Sequence, residues 1–207
     1  MTPTQIMEAE HRLIETVVEA LGGVAAAIDL GQRPDFALLA TAVEFLRVYA
    51  DMLHHGKEET LFFPLLVQRG VPPQGCPIGG LNHEHEQGRA LVQALAEQAP
   101  AYAQGKPASK EGLLETLRGI QGLYQNHIWK EDAMVFPMAD KVLTAADQTE
   151  LCETFAELDR AIGSETIARL EQFARSLATG AGPAFQAGGS PTSGCGCGCE
   201  HPNAFKT

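Results

Sequence analysis

Two eleven-residue blocks of this 207-residue chain match each other without a gap. The first runs His54-His55-Gly56-Lys57-Glu58-Glu59-Thr60-Leu61-Phe62-Phe63-Pro64. The second runs His127-Ile128-Trp129-Lys130-Glu131-Asp132-Ala133-Met134-Val135-Phe136-Pro137, an offset of 73 residues. An upstream pair repeats at almost the same offset, because Glu10-His11 and Glu84-His85 lie 74 residues apart. An internal repeat of this kind points to two copies of one supersecondary unit. A His and a Glu four residues apart share one helix face, one turn apart. The chain therefore reads as two helical hairpins, each bringing one single His and one His-x-x-x-Glu pair.

Periodicity places these residues on helices. Leu13, Val17, Leu21 and Val24 follow helical spacing in a first helix from about Thr4 to Leu30. Gly31 and Pro34 end it, and Asp35 suits the N-cap of a second helix from about Phe36 to Gln68. Pro64 is expected to kink or terminate that helix near its end. The Gly/Pro-rich segment from Arg69 to Gly80 is a turn region. A third helix spans about Leu81 to Gln104 and a fourth about Ser109 to Asp140, with Pro137 near its end. A fifth, with Thr144 as N-cap and Asp147 in its first turn, runs to Leu177. The expectation is an all-α fold, an antiparallel up-down four-helix bundle with an additional C-terminal helix. The bundle occupies residues 1–179, with its core at 5–140 and the extra helix at about 144–177. Residues 180–207 shift to Gly, Ser, Pro and Cys and read as a flexible tail.

In such a bundle the inward faces of four helices converge at one level. They deliver four imidazoles, from His11, His54, His85 and His127, and two carboxylates, from Glu58 and Glu131. Bundle cores house metal pairs in this way. Mixed imidazole and carboxylate donors suit iron or manganese and leave zinc open, whereas a structural zinc site is usually four-coordinate and rich in Cys. Two ions, two bridging carboxylates and an oxo or hydroxo bridge leave each iron five ligands and one open position.

These residues resemble the hemerythrin-like, or HHE cation-binding, domain family. The resemblance covers about residues 5–140. It rests on the single His of the first helix, on HHGKEETLFFP and HIWKEDAMVFP, and on LNHEHEQGR between them. It implies a four-helix bundle with a non-haem di-iron centre. His11, His54, His85 and His127 would be terminal ligands, with Glu58 and Glu131 as bridges. Members bind oxygen, nitric oxide or peroxide, sense iron, or repair iron centres. Oxygen carriers of the family place a further His one turn after the position of His85, where this chain has Arg89. The resemblance thus implies binding or sensing of a small molecule such as oxygen or nitric oxide. The alternatives are an enzyme acting on peroxide or nitrogen oxides, and iron handling or iron–sulfur centre repair.

Neighbouring residues have blander readings. His55 lies about 100° round the helix from His54 and reads as outside the ligand set. His83 competes with His85, and the Glu-His repeat favours His85. Glu59 and Asp132 read as outer carboxylates that accept the second N–H of a metal-bound His. Tyr49, Tyr124, Phe63, Phe136, Met134 and Trp129 read as packing, and Arg89 as the partner of Glu86 or a core carboxylate. A net charge of -11 with no Lys/Arg cluster argues against nucleic acid and anionic membranes. The start of the chain shows no signal-peptide pattern and no stretch is long enough to span a bilayer, so the expected location is cytoplasmic. Five Cys, three of them at Cys195, Cys197 and Cys199 beside His201, do not form a disulfide framework. That cluster suits a soft metal or a thiol partner, or serves as an idle tail.

Overall fold

The computed structural model of the protein describes residues 1–106 and 109–179. Among them no strand occurs, and the chain forms six helical rods. The first, α1, is Pro3–Asp29, opened by a capping box between Thr2 and Gln5. The second, α2, is residues 36–68, assembled from Phe36–Phe45, the wider π-helical Leu46–His55 and Glu58–Phe62, and Phe63–Gln68. Next come α3, Ile78–Ala103, and α4, residues 109–142, which joins Ser109–Lys130, a π-helical Glu131–Val135 and Phe136–Val142. The chain closes with α5, Ala145–Ile162, and α6, Ser164–Ala178. Asp35 and Thr144 cap α2 and α5, as their sequence positions imply. The tail with Cys195, Cys197, Cys199 and His201 lies outside the described residues.

Two expectations about helix ends are revised. Pro64 and Pro137 do not stop their helices where they stand, since both rods continue for several residues beyond. Each proline follows a π-turn. The Phe63 amide donates to the Glu58 carbonyl, and the Phe136 amide to that of Glu131, five residues back instead of four. The wider turn accommodates the ring and the missing donor that a regular α-turn would reject. The expected single C-terminal helix is two helices, α5 and α6. Gly163, at φ +102° and ψ 123°, ends one and opens the other. Glycine supplies that conformation without the steric cost any other residue meets.

The interior consists of two apolar clusters with a polar layer between them. One contains Ile14, Val17, Leu39, Leu53, Val92, Leu117 and Ile128 among others. The other gathers Met7, Phe62, Phe63, Leu81, Val135, Phe136 and Phe155. On each of α1 to α4 the chain passes from one cluster to the other across a buried His: His11, His54, His85 or His127. The direction of passage alternates from helix to helix. On α1 and α3 the Met7–Leu81 cluster comes first, and on α2 and α4 it comes last. Leu151 and Phe155 of α5 extend one cluster, and Leu170 and Ala174 of α6 extend the other.

Gly163→Ala tests the hinge. The added Cβ would meet only Thr166 Oγ1, at 3.9 Å, so the cost is confined to the backbone. A loss of about 1–3 kcal/mol in urea unfolding is expected, with the helical content unchanged.

Candidate metal centre

The four helices bring His11, His54, His85 and His127 into two facing pairs. His11 Nε2 lies 2.9 Å from His54 Nε2, and His85 Nε2 lies 3.1 Å from His127 Nε2. Each of the two central carboxylates reaches one imidazole of each pair. Glu58 approaches His54 Nε2 at 3.7 Å with one oxygen and His85 Nε2 at 3.3 Å with the other. Glu131 approaches His127 Nε2 at 3.4 Å and His11 Nε2 at 3.2 Å in the same manner. All six side chains are buried. The structure thus brings together the six residues singled out from the sequence.

Each imidazole is held from behind by a carboxylate. His11 Nδ1 lies 2.7 Å from Asp132, and His85 Nδ1 lies 2.7 Å from Glu59. His54 Nδ1 lies 2.9 Å from Glu10, and His127 Nδ1 lies 3.0 Å from Glu84. A carboxylate accepts only, so these contacts fix the proton on Nδ1 and leave the Nε2 lone pair facing inward. Every such carboxylate has a cation behind it in turn. Arg12 pairs with Asp132, Arg89 with Glu59, Lys57 with Glu10 and Lys130 with Glu84. The Lys of the repeated motif and the Glu of the upstream pair therefore have linked duties that spacing alone did not reveal. Their recurrence in both copies was the available signal.

The donor set fits a cation. Among the described residues, both carboxylate oxygens of Glu58 and of Glu131 lack any hydrogen-bond donor. Buried charge without a partner is costly, and such groups are normally paired or bound to metal. Two Nε2 lone pairs pointing at each other across 2.9 Å also require a proton or a cation between them. Two groups of side chains offer donor atoms within 4.8 Å of one another: His11, His54, Glu58 and Glu131, and His55, Glu58, His85 and His127. Glu58 belongs to both groups, and Glu131 to the first alone.

Protons answer the same demand in the metal-free protein. Burial alone would push His11 down, yet the carboxylates of Asp132 and Glu131 raise it to about 10. Burial is likewise outweighed at His85, which Glu58 and Glu59 raise to about 9. Glu58 is held well below the ordinary carboxylate value, because the His54 and His85 imidazoles outweigh its desolvation. The outer ring of four carboxylates and four cations is neutral. Two protonated imidazoles then balance the two inner carboxylates.

Some neighbours follow their sequence reading and others depart from it. His55 is buried, with its ring stacked on His85 at 3.8 Å between centroids. Burial pushes it down to about 3, so it stays uncharged. Residues 46–55 are π-helical, so each residue turns less than in an α-helix. His83 is exposed and hydrogen-bonded to Gln87, outside the site. Arg89 pairs with Asp51 and Glu59, not with Glu86. Trp129 and Met134 are largely exposed instead of packed inside, while Tyr49, Tyr124, Phe63 and Phe136 are buried.

The two lysines are equivalent in sequence and unequal in surroundings. Lys57 is fully buried, and Asp159 of α5 lies 2.7 Å from its Nζ. Lys130 is 38% exposed. Lys57→Met should cost about 3–5 kcal/mol, since it strands the buried Glu10. Lys130→Met should cost about 0–1 kcal/mol. Urea unfolding of both variants in the metal-free state measures the difference, and equal losses would contradict the asymmetry.

Comparison with known proteins agrees with this geometry. Three uncharacterized mycobacterial proteins are 29% identical over 158 residues: Mb2018 of Mycobacterium bovis, and MT2051 and Rv1995 of Mycobacterium tuberculosis. The match takes in 76% of this chain and 61% of each relative, so the chain spans about three fifths of their length. No solved structure matches. The family model described as the hemerythrin HHE cation binding domain matches residues 2–139, which include every buried His and Glu of the site, and the chain belongs to that family.

Proposed function

We propose that the protein is a non-haem di-iron protein that binds or senses a small molecule such as oxygen or nitric oxide. The observation that carries this reading is the pair of buried, donor-free carboxylates, each spanning two imidazoles from different helices. The alternating passage of α1 to α4 between the two apolar clusters supports reading the core as an antiparallel up-down four-helix bundle. In that bundle His11 and His54 would hold one ion, His85 and His127 the second, and Glu58 and Glu131 would bridge them. Iron fits the mixed nitrogen and oxygen donors. Bound iron would supply redox chemistry and an acceptor position for a small ligand.

The rest of the chain prepares the site for that role. Asp132, Glu10, Glu59 and Glu84 fix the tautomer and orientation of the imidazoles and raise their basicity. The two apolar clusters exclude bulk water from both sides of the polar layer. No side chain in the layer stands out as a separate general acid, which favours binding over turnover.

Metal analysis of the purified protein is expected to give two irons per chain. His54→Ala should lower that content, with the fold retained by circular dichroism. The absorption spectrum of the reduced, iron-loaded protein should change with oxygen or with nitric oxide. Zinc alone, no metal, or a spectrum indifferent to both gases would refute the proposal.

Stability against pH gives a second check. His11 and His85 have raised values, so their contribution is complete below the unfolded value of 6.5 and is lost as pH rises through about 9 and 10. The depressed Glu58 works in the opposite sense: its contribution is present above 4.5 and is lost in acid. The metal-free protein should therefore be most stable between those two ordinary values. Its urea midpoint should fall as pH is raised from 6.5 to 10. Iron takes the place of the protons, so the loaded protein should lack that alkaline loss. A metal-free midpoint that stays level to pH 10 would contradict the assignment.

A further inference from the structure

The internal repeat maps residue 54 onto 127, 57 onto 130, 58 onto 131 and 59 onto 132. It also maps His55 onto Ile128. The two halves of the site therefore agree in their central and outer groups and differ at one buried position in the donor layer. On one half stands an imidazole, on the other an aliphatic side chain with nothing to donate. Both are buried, at 3% and 2% exposure.

His55 stands among the donors of the second pair. It belongs to the group with Glu58, His85 and His127 whose donor atoms lie within 4.8 Å of one another. Its ring lies 3.8 Å from that of His85 and 5.6 Å from that of His127, centroid to centroid, against 5.8 Å from His54. Its Nδ1 is engaged 3.3 Å from Asp51 Oδ1, an outer carboxylate of the kind that backs the other four imidazoles. Asp51 in turn pairs with Arg89, repeating the order imidazole, carboxylate, cation. Nothing among the described residues gives the first pair a corresponding third imidazole.

We infer that His55 is a third imidazole donor for the ion held by His85 and His127, and that the two metal positions are chemically unequal. The second ion then has five protein donors: three imidazoles and the two bridging carboxylates. The first, on His11 and His54, has four, and it is the one that keeps a place for an added small molecule. The carboxylate and cation behind His11, Asp132 and Arg12, also face a surface cavity. A cavity of about 340 Å³ lined by Arg12, Ile128, Trp129 and Asp132 lies on the Ile128 side. On the other side, the cavity of about 270 Å³ between Arg47 and Arg89 has His55 in its lining. The missing His at position 89 is thereby compensated from a different helix, and Arg89 serves the outer shell of that same imidazole.

This inference rests on the di-iron reading, and the test separates the two. Wild type and His55→Ile, which makes the halves alike, are loaded with ⁵⁷Fe, and iron content and Mössbauer spectra are recorded. His55→Gln serves as a second variant should the isoleucine lower the yield of folded protein. Wild type is expected to hold two irons giving two quadrupole doublets of equal area. In either variant one doublet should shift while the other stays. Azide, used as the probe ligand, should bind once per wild-type chain and twice per His55→Ile chain. Two irons with a single wild-type doublet, or variant spectra identical to wild type, would overturn this inference and leave the di-iron reading standing. Fewer than two irons in wild type would overturn both.

Discussion

Two carboxylates buried without a hydrogen-bond donor set the terms for the rest of the molecule. Glu58 and Glu131 sit in the middle of an apolar interior, where an uncompensated charge is far more costly than any one helix-packing contact can offset. Compensation comes in concentric layers. Imidazoles face the carboxylates, outer carboxylates face the imidazoles, and cations face those. The layered order confines each charge to a short distance from its opposite. It leaves the innermost pair to be satisfied by something mobile, either two protons or metal ions. Proton and metal therefore compete for the same nitrogens, and metal affinity is tied to pH by construction.

The backbone shares in this arrangement. The π-turns at Glu58–Phe62 and Glu131–Val135 start at the two central carboxylates themselves. A π-turn widens the helix locally and is often found at functional sites. Here it has a second consequence: it accommodates Pro64 and Pro137, and the chain continues helically past them. The Phe residues before each proline, Phe63 and Phe136, then lie against His85 and His11 at 6.1 and 5.3 Å between ring centroids. The Phe-Pro ending of each block thus contributes one wall of the metal layer, and this explains why it recurs with the ligands.

Much of this was legible in the sequence because duplication leaves a mark at fixed spacing. The four imidazoles, the two central carboxylates and the helices that carry them follow from the i,i+4 pairs and the upstream Glu-His pairs. The roles of Glu59 and Asp132 follow from their place beside those pairs. What remained hidden depends on three-dimensional register. A helical wheel sets His55 apart from His54, whereas its burial depends on His85 of another helix, on which it stacks. Arg89 meets Asp51 and Glu59 across a helix interface, which local spacing does not encode. Trp129 and Met134 look like core by composition but lie on the outer face of α4. Gly163 divides the last helix because a single positive φ suffices, while the flanking residues keep helical periodicity on both sides.

The exceptions to the duplication carry as much information as the duplication itself. A perfect twofold repeat would give two identical ions with no reason for a ligand to choose between them. Three departures break that equivalence. His55 faces Ile128 across the repeat. Lys57 is sealed under α5 by Asp159 and Phe155, where Lys130 remains partly in water. Arg12 follows its imidazole directly in the chain, whereas Arg89 comes one turn after His85 and binds a second carboxylate, Asp51. In the proposed centre the first two would bear on opposite ions: an added donor would fill one, and the buried Lys57 backs the Glu10–His54 side of the other. In the proposed di-iron centre, one filled and one open ion would give an added molecule a single orientation, the repeat supplying the bridge and its imperfections the direction.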